Sequence, residues 1–268
     1  MQDFLKNYQF DSLFSTNWSK KMKEKYTQVI AHRGSKGTRP ENTLASFQEA
    51  INAGADGIET DVHLSADRQL IIMHDEKVNR TTDGTGLILE KTLAEIKELD
   101  AGYKFGSEYR GTKVPTLEEV VDLLIENDFH GVFNLELKTN KIAYIGIEEL
   151  VTEQLSNRRL PFKIIYSSFN SESIKKMHEL NPDSEYAKLF KTGIKRVMLL
   201  KKGHLIQGIH PDIKWVKRHK LLLPHILIRP WTVNTEADMA FCFKHKLAGL
   251  ITDYPKRAIE LRKDIQGG

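Results

Sequence analysis

Gly57-Ile58-Glu59-Thr60-Asp61-Val62 is an apolar run broken by two acids at alternate positions, and Gln69-Leu70-Ile71-Ile72-Met73-His74 follows it closely. In a strand, residues two apart share a face, so Glu59 and Asp61 point the same way. Only a few residues, centred on Ser65-Ala66-Asp67-Arg68, separate the two runs. Parallel neighbours need a crossover of a dozen or more residues, so the second run reads as an antiparallel return. A turn centred near Ala66-Asp67 would set His74 across from Glu59.

Similar short runs recur on either side of this hairpin. Strands are predicted near Val29–Ala31, Val132–Leu137, Ile164–Ser167, Glu185–Leu189, Leu205–Ile209, Ile226–Trp231 and Gly249–Thr252. Helical patterns lie between them, near Thr43–Asn52, Leu117–Glu126, Ala143–Gln154, Ser171–Glu179, Lys191–Leu200, Ile213–Lys220, Glu236–His245 and Pro255–Arg262. Such alternation argues for parallel strands joined by crossover helices. Eight units within 268 residues argue for an α/β fold, a (β/α)8 TIM barrel, as a single domain over residues 1–268. The hairpin return lies outside the eight.

Residues 75–115 break the rhythm and form a small insertion after the second barrel strand. They contain the turn-rich Thr81-Thr82-Asp83-Gly84-Thr85-Gly86 and a helical segment at Leu93–Leu99. Placed on the C-terminal face, the insertion would overhang an active site. Residues 1–26 read as an N-terminal helical extension, with Asn17–Lys25 closing the barrel bottom and Trp18 and Met22 facing inward.

Composition narrows the function classes. Forty basic and 36 acidic residues leave a net charge of +4 with no long basic run, so no nucleic-acid partner is expected. The densest patch, Lys20-Lys21-Met22-Lys23-Glu24-Lys25, reads as a solvated helix face. The one cysteine, Cys242, excludes an intramolecular disulfide and falls on the buried side of a helix. No apolar run approaches the ~20 residues of a membrane span. Met1–Lys6 lacks a basic start leading into an apolar stretch, so a cytoplasmic location is expected.

Catalytic groups in a TIM barrel sit at the C-terminal ends of strands and in the loops that follow. That rule selects His32, Arg33 and Gly34 after the first strand, Glu59 and Asp61 on the second, His74 and Asp75 after the return, and Glu136 and Lys138 on the next. One strand-end carboxylate would suit local pairing, for instance with Lys138. Glu59, Asp61 and Glu136 converging on one mouth form an oxygen-rich site for one divalent cation, Mg2+ or Ca2+. His32 and His74 are candidates for general acid and base, because imidazole titrates near neutrality. His63, just past the acids, is read as a bystander at the hairpin edge. Arg33 suits phosphate oxygens, and Gly34 lets the backbone approach a ligand. In Pro40-Glu41-Asn42-Thr43, Asn42 or Thr43 can cap a helix, and Glu41 is placed to orient His32 or Arg33.

In order and spacing, these fragments resemble the glycerophosphodiester phosphodiesterase family. The resemblance rests on His32-Arg33-Gly34, Pro40-Glu41-Asn42-Thr43, Ile58–Val62 and Met73-His74-Asp75, and continues through Asn134–Lys138, Ser167-Ser168-Phe169, Trp231–Asn234 and Leu250–Pro255. It implies a TIM barrel with an insertion at about residues 75–115, His32 and His74 as the acid–base pair, and Glu59, Asp61 and Glu136 as metal ligands. Arg33 would hold the phosphate with Lys138 close by; Trp231, at the end of a barrel strand, would pack either against the substrate's carbon chain or as an ordinary core tryptophan. The implied activity is metal-dependent hydrolysis of glycerophosphodiesters to glycerol 3-phosphate and an alcohol. Two alternatives remain: a lysophospholipase D acting on lipids, with residues 75–115 and 190–210 rimming an apolar groove, and a non-catalytic barrel that binds phosphate ligands. The aromatic residues Phe4, Tyr8, Phe10 and Phe14 suggest either a surface contact or packing under the barrel.

Overall fold

The structure, a computed structural model, describes residues 26–267. The expected N-terminal helix, with Trp18 and Met22, the basic patch at Lys20–Lys25 and the aromatic residues Phe4–Phe14 lie outside the described residues.

Eight parallel strands form a nearly closed barrel: β1 (Gln28–His32), β2 (Gly57–Leu64), β4 (Val132–Leu137), β5 (Lys163–Ser168), β6 (Glu185–Phe190), β7 (Gly208–Pro211), β8 (Leu227–Ile228) and β9 (Gly249–Thr252). Their spatial order is β8-β7-β6-β5-β4-β2-β1-β9. No regular ladder joins β8 to β9, but Ile251 N–H donates to the Pro230 carbonyl at 2.9 Å and Val233 N–H donates to the Ile251 carbonyl at 2.9 Å, closing the seam. The return strand β3 (Leu70–Ile72) pairs antiparallel with β2, as expected. Its register differs from the expected one by a residue. Val62 faces Ile72 and Met73 N–H donates to the Asp61 carbonyl, so His74 falls opposite Thr60 rather than Glu59. The Ser65 hydroxyl is the reason: it binds both Asp67 and the Gln69 N–H, moving the turn centre to Asp67.

The helices α1 (Leu44–Asn52), α2 (Leu93–Glu98), α3 (Leu117–Glu126), α4 (Ile147–Ser156), α5 (Ser171–Leu180), α6 (Lys195–Lys202), α7 (Ile213–Arg218), α8 (Glu236–Lys244) and α9 (Pro255–Gln266) follow the pattern read from the sequence. Thr43, Thr92 and Thr116 start α1, α2 and α3 through reciprocal capping boxes. The main core fills the space between sheet and helices, from Phe47 and Leu124 to Phe243 and Ile259. Inside the barrel a small apolar layer of Val132, Ile165 and Ala187 sits above a buried Arg229–Glu185 pair at 2.7 Å. Insertion residues 75–115 bury their own cluster, including Val78, Ile88, Ile96 and Val114 against Ile71 and Met73 of the hairpin. Cys242 is buried, and burial pushes its thiol up to about 12. No helix among the described residues is long and apolar enough to cross a membrane.

Candidate active site

Strand register builds the centre of the site. Across β1, β2 and β4, His32 faces Glu59, Glu59 faces Asn134, and Asp61 faces Glu136. All these residues therefore point into the barrel near its C-terminal mouth. One carboxylate oxygen from each of Glu59, Asp61 and Glu136 lies within 4.8 Å of the others, and all three residues are buried. Two cations are buried with them. Lys138 Nζ donates to Glu136 at 2.9 Å and stands 3.5 Å from Asp61 Oδ1. Arg33 Nε stands 3.5 Å from Asp61 Oδ2, and the Arg33 backbone N–H donates to Glu59 at 3.0 Å.

Electrostatics divide the three acids. Burial raises Asp61, but Lys138, Arg33 and His74 outweigh it and hold the carboxyl well below its usual range. Burial and the neighbouring Asp61 charge push Glu59 well above its range. Burial also pushes Glu136 up to about 7, against the pull of Lys138. A hard divalent cation fits this donor set, because it relieves the repulsion that protonation otherwise relieves. Asp61 Oδ1 is buried without a hydrogen-bond partner, an acceptor free to meet such an ion. Arg33 Nε, 3.5 Å from Asp61, likewise makes no hydrogen bond and can donate to an anion.

The loop after β1 holds Arg33 in place. Arg33 and Asn42 both adopt left-handed backbone, at φ 55° and 54°, conformations that cost energy and recur at functional sites. Gly34 is required for a reason other than ligand approach: a Cβ there would lie 2.4 Å from Ser46 Oγ on α1. That hydroxyl donates to the Arg33 carbonyl, so the turn is pinned to the helix. Thr43 takes the cap, which frees Asn42 to donate to Asp61 at 3.0 Å and accept from Thr60 at 2.8 Å. Glu41 accepts from Arg33 at 2.8 Å and has no bond to His32.

A histidine stands on each side of this centre, each backed by an aspartate. His32 Nδ1 meets Asp253, just past β9, at 2.6 Å, and Asn234 in turn donates to Asp253 at 2.8 Å. Burial and Arg33 lower His32 to about 4, with Asp253 pulling the other way. His74 Nδ1 meets Asp75 at 2.6 Å; burial lowers it while Asp61 raises it. Arg80, from the insertion, bridges Asp75 at 2.6 Å and Glu41 at 2.7 Å. In both histidines Nδ1 is engaged, leaving Nε2 for chemistry.

Several further residues shape the mouth. No sequence pattern marks Asp253 or Arg80 as functional: Asp253 lies within the Leu250–Pro255 stretch, and nothing local singles out Arg80. Lys188, also unassigned, donates to the Leu189 carbonyl at 3.0 Å, and burial lowers it to about 8. Trp231 packs edge-on against Phe169 at 5.7 Å and donates to the His210 carbonyl at 2.8 Å. His63 is buried between Tyr144 and the His74 carbonyl, at 2.9 and 3.1 Å, so it supports the hairpin from inside rather than lying at its edge.

Comparison with known proteins agrees with the geometry. Residues 32–257 match the model of the glycerophosphoryl diester phosphodiesterase family. A glycerophosphodiester phosphodiesterase of Bacillus altitudinis is 37% identical over 245 residues, covering 90% of this chain and all of that protein. One from Caldanaerobacter subterraneus is 37% identical, covering 88% of this chain and 97% of its own. Among solved structures, a phosphodiesterase of Oleispira antarctica, in complex with the product sn-glycerol-3-phosphate, superposes with a TM-score of 0.76 at 33% identity, covering 88% of this chain and 96% of its own. A barrel closed around a carboxylate triad, with a matching sequence pattern along nearly its whole length, leaves one assignment: this chain belongs to the glycerophosphoryl diester phosphodiesterase family.

Proposed function

We propose that the protein hydrolyses glycerophosphodiesters to glycerol 3-phosphate and an alcohol, using one divalent cation, Mg2+ or Ca2+, held by Glu59, Asp61 and Glu136. The observation that carries this reading is the buried carboxylate triad with an aspartate-backed histidine on each side. A bound cation would supply Lewis-acid neutralisation of the phosphodiester. Arg33 donates to a phosphate oxygen through Nε, which has no hydrogen bond within the protein, and Glu41 fixes the guanidinium plane. Lys138 adds a second fixed positive charge beside the same oxygens. One histidine accepts a proton at Nε2 from the nucleophile, and the other donates a proton from Nε2 to the leaving alcohol. The nucleophile is water or the glycerol hydroxyl next to the phosphate. Asn42 holds Asp61, and Trp231 borders the substrate's carbon chain.

The product found in the Oleispira antarctica structure is the glycerol phosphate half of such a diester. A panel of glycerophosphodiesters and lysolipids, run with each cation, tests the reading. Release of glycerol 3-phosphate from water-soluble diesters is expected, and cleavage of lysolipids alone would replace it with the lipid reading. Transient cyclic phosphate would identify the glycerol hydroxyl as nucleophile.

A further inference from the structure

The modest net charge conceals a polarised molecule. Nine of the 40 basic residues and one of the 36 acids lie in residues 191–225, so this segment carries +8 and the rest of the chain −4. Lys217 ion-pairs with Asp238 at 2.6 Å; the other eight cations have no carboxylate partner among the described residues. Large apolar side chains stand exposed among them: Leu199 at 71%, Leu221 at 88% and Leu222 at 86%.

Topology divides these groups: Lys191, Lys195, Arg196 and Lys214 precede or open the two helices, while Lys201, Lys202, Lys217, Arg218 and Lys220 lie at or past their ends. The strands β6, β7 and β8 are parallel neighbours, so α6 and α7 between them lie side by side and run in the same direction. Both begin near the catalytic mouth and end at the opposite rim. The end of α6, with Leu199 and Lys202, therefore shares that rim with Arg218, Lys220, Leu221 and Leu222 at the end of α7. Exposed leucines set among unpaired cations have the chemistry of an interfacial membrane site: apolar side chains enter the headgroup region while Lys and Arg meet anionic lipid. An aqueous protein surface gains nothing from exposing both together.

We propose that this rim docks the protein on an anionic phospholipid surface. The rim lies at the end of the barrel opposite the mouth, so docking through it turns the mouth toward water. Bound in this way, the enzyme would take its diester from solution beside the membrane rather than from within the bilayer. The proposal stands independently of the reaction assigned to the mouth.

Co-sedimentation of the full chain with vesicles tests it, comparing phosphatidylcholine alone with phosphatidylcholine mixed with phosphatidylglycerol. Binding to the mixed vesicles at low salt is expected, with little to phosphatidylcholine alone. L221S/L222S and R218E/K220E should each weaken that binding by about tenfold or more, with turnover of a soluble glycerophosphodiester unchanged as proof of folding. A full chain that stays in the supernatant with mixed vesicles at low salt would overturn the proposal. So would unchanged binding in R218E/K220E. Full vesicle binding by L221S/L222S, matched by equal binding to a soluble polyanion, would assign the rim to polyanions and overturn it too.

Discussion

The two sides of the catalytic mouth solve one problem with different materials. On one side His32 and Asp253 come from the ends of β1 and β9, 221 residues apart in sequence, and both are largely buried. On the other, His74 and Asp75 are adjacent in the chain, about 31% exposed, and steadied by Arg80 from the insertion. The first pair is as rigid as the barrel seam that carries it. The second depends on residues 75–115, whose small cluster folds against the hairpin and not into the main core. Histidine orientation is thus a property of the barrel on one side and of an accessory loop on the other. Loss of the loop's contacts should weaken catalysis without melting the barrel.

The largest expected effect lies in the barrel itself. Arg229 and Lys163 overcome burial to hold Glu185 at about 2, below its usual carboxylate value. The folded value is depressed, so the stabilisation is present above about 4.5 and is lost as pH falls toward 2. E185Q leaves Arg229 buried without its charge partner, and thermal unfolding should show a loss of about 3–5 kcal/mol. It should also lose the acid-dependent component below pH 4.5, whereas wild type destabilises through that window.

Next come the histidines. H32A and H74A should each cut turnover by ~10²-fold or more with the fold intact. Near wild-type turnover in both would remove the acid–base assignment. The aspartates then separate the two sides. Losing an orienting partner costs between about tenfold and a hundredfold, and D253N should fall at the upper end and D75N at the lower, because Asp75, more exposed than Asp253, can be replaced by water. Equal losses would break the comparison. The smallest effect is expected for R80A, whose ion pairs are 45% exposed on the arginine side: no more than about fivefold in turnover, with unfolding midpoint unchanged.

Strand positions and the carboxylate pattern were legible because both are local, period-two signals. Val132–Leu137 and Gly249–Thr252 match their expected bounds, and Glu59 and Asp61 share a face as their spacing required. Departures arose where one residue's geometry overrode the pattern. Ser65 moved the hairpin turn, sliding His74 from Glu59 to Thr60. Gly146, left-handed at φ 81°, delays the helix expected from Ala143 until Ile147. Leu205 and Ile206 read as strand, but Leu205 N–H returns to the Leu200 carbonyl at the end of α6, so β7 starts only at Gly208. The run Ile226–Trp231 shrinks to Leu227–Ile228 as regular strand, and Pro230 has no N–H to extend the ladder. The supports of the site were harder to read. Asp253 reaches His32, and Arg80 reaches Glu41, only through tertiary folding, and no periodicity marks such pairs. Net charge hid the basic rim for a similar reason: a sum over the chain erases position.

In the proposed reading the triad, Arg33 and the two histidines form one metal-dependent phosphodiesterase centre. The most direct test is the rate of glycerol 3-phosphate release from a glycerophosphodiester by protein stripped of metal, before and after a single divalent cation is restored. Negligible release from the stripped protein and recovery with Mg2+ or Ca2+ are expected. Full release from stringently metal-free protein, or none with any cation, would contradict it.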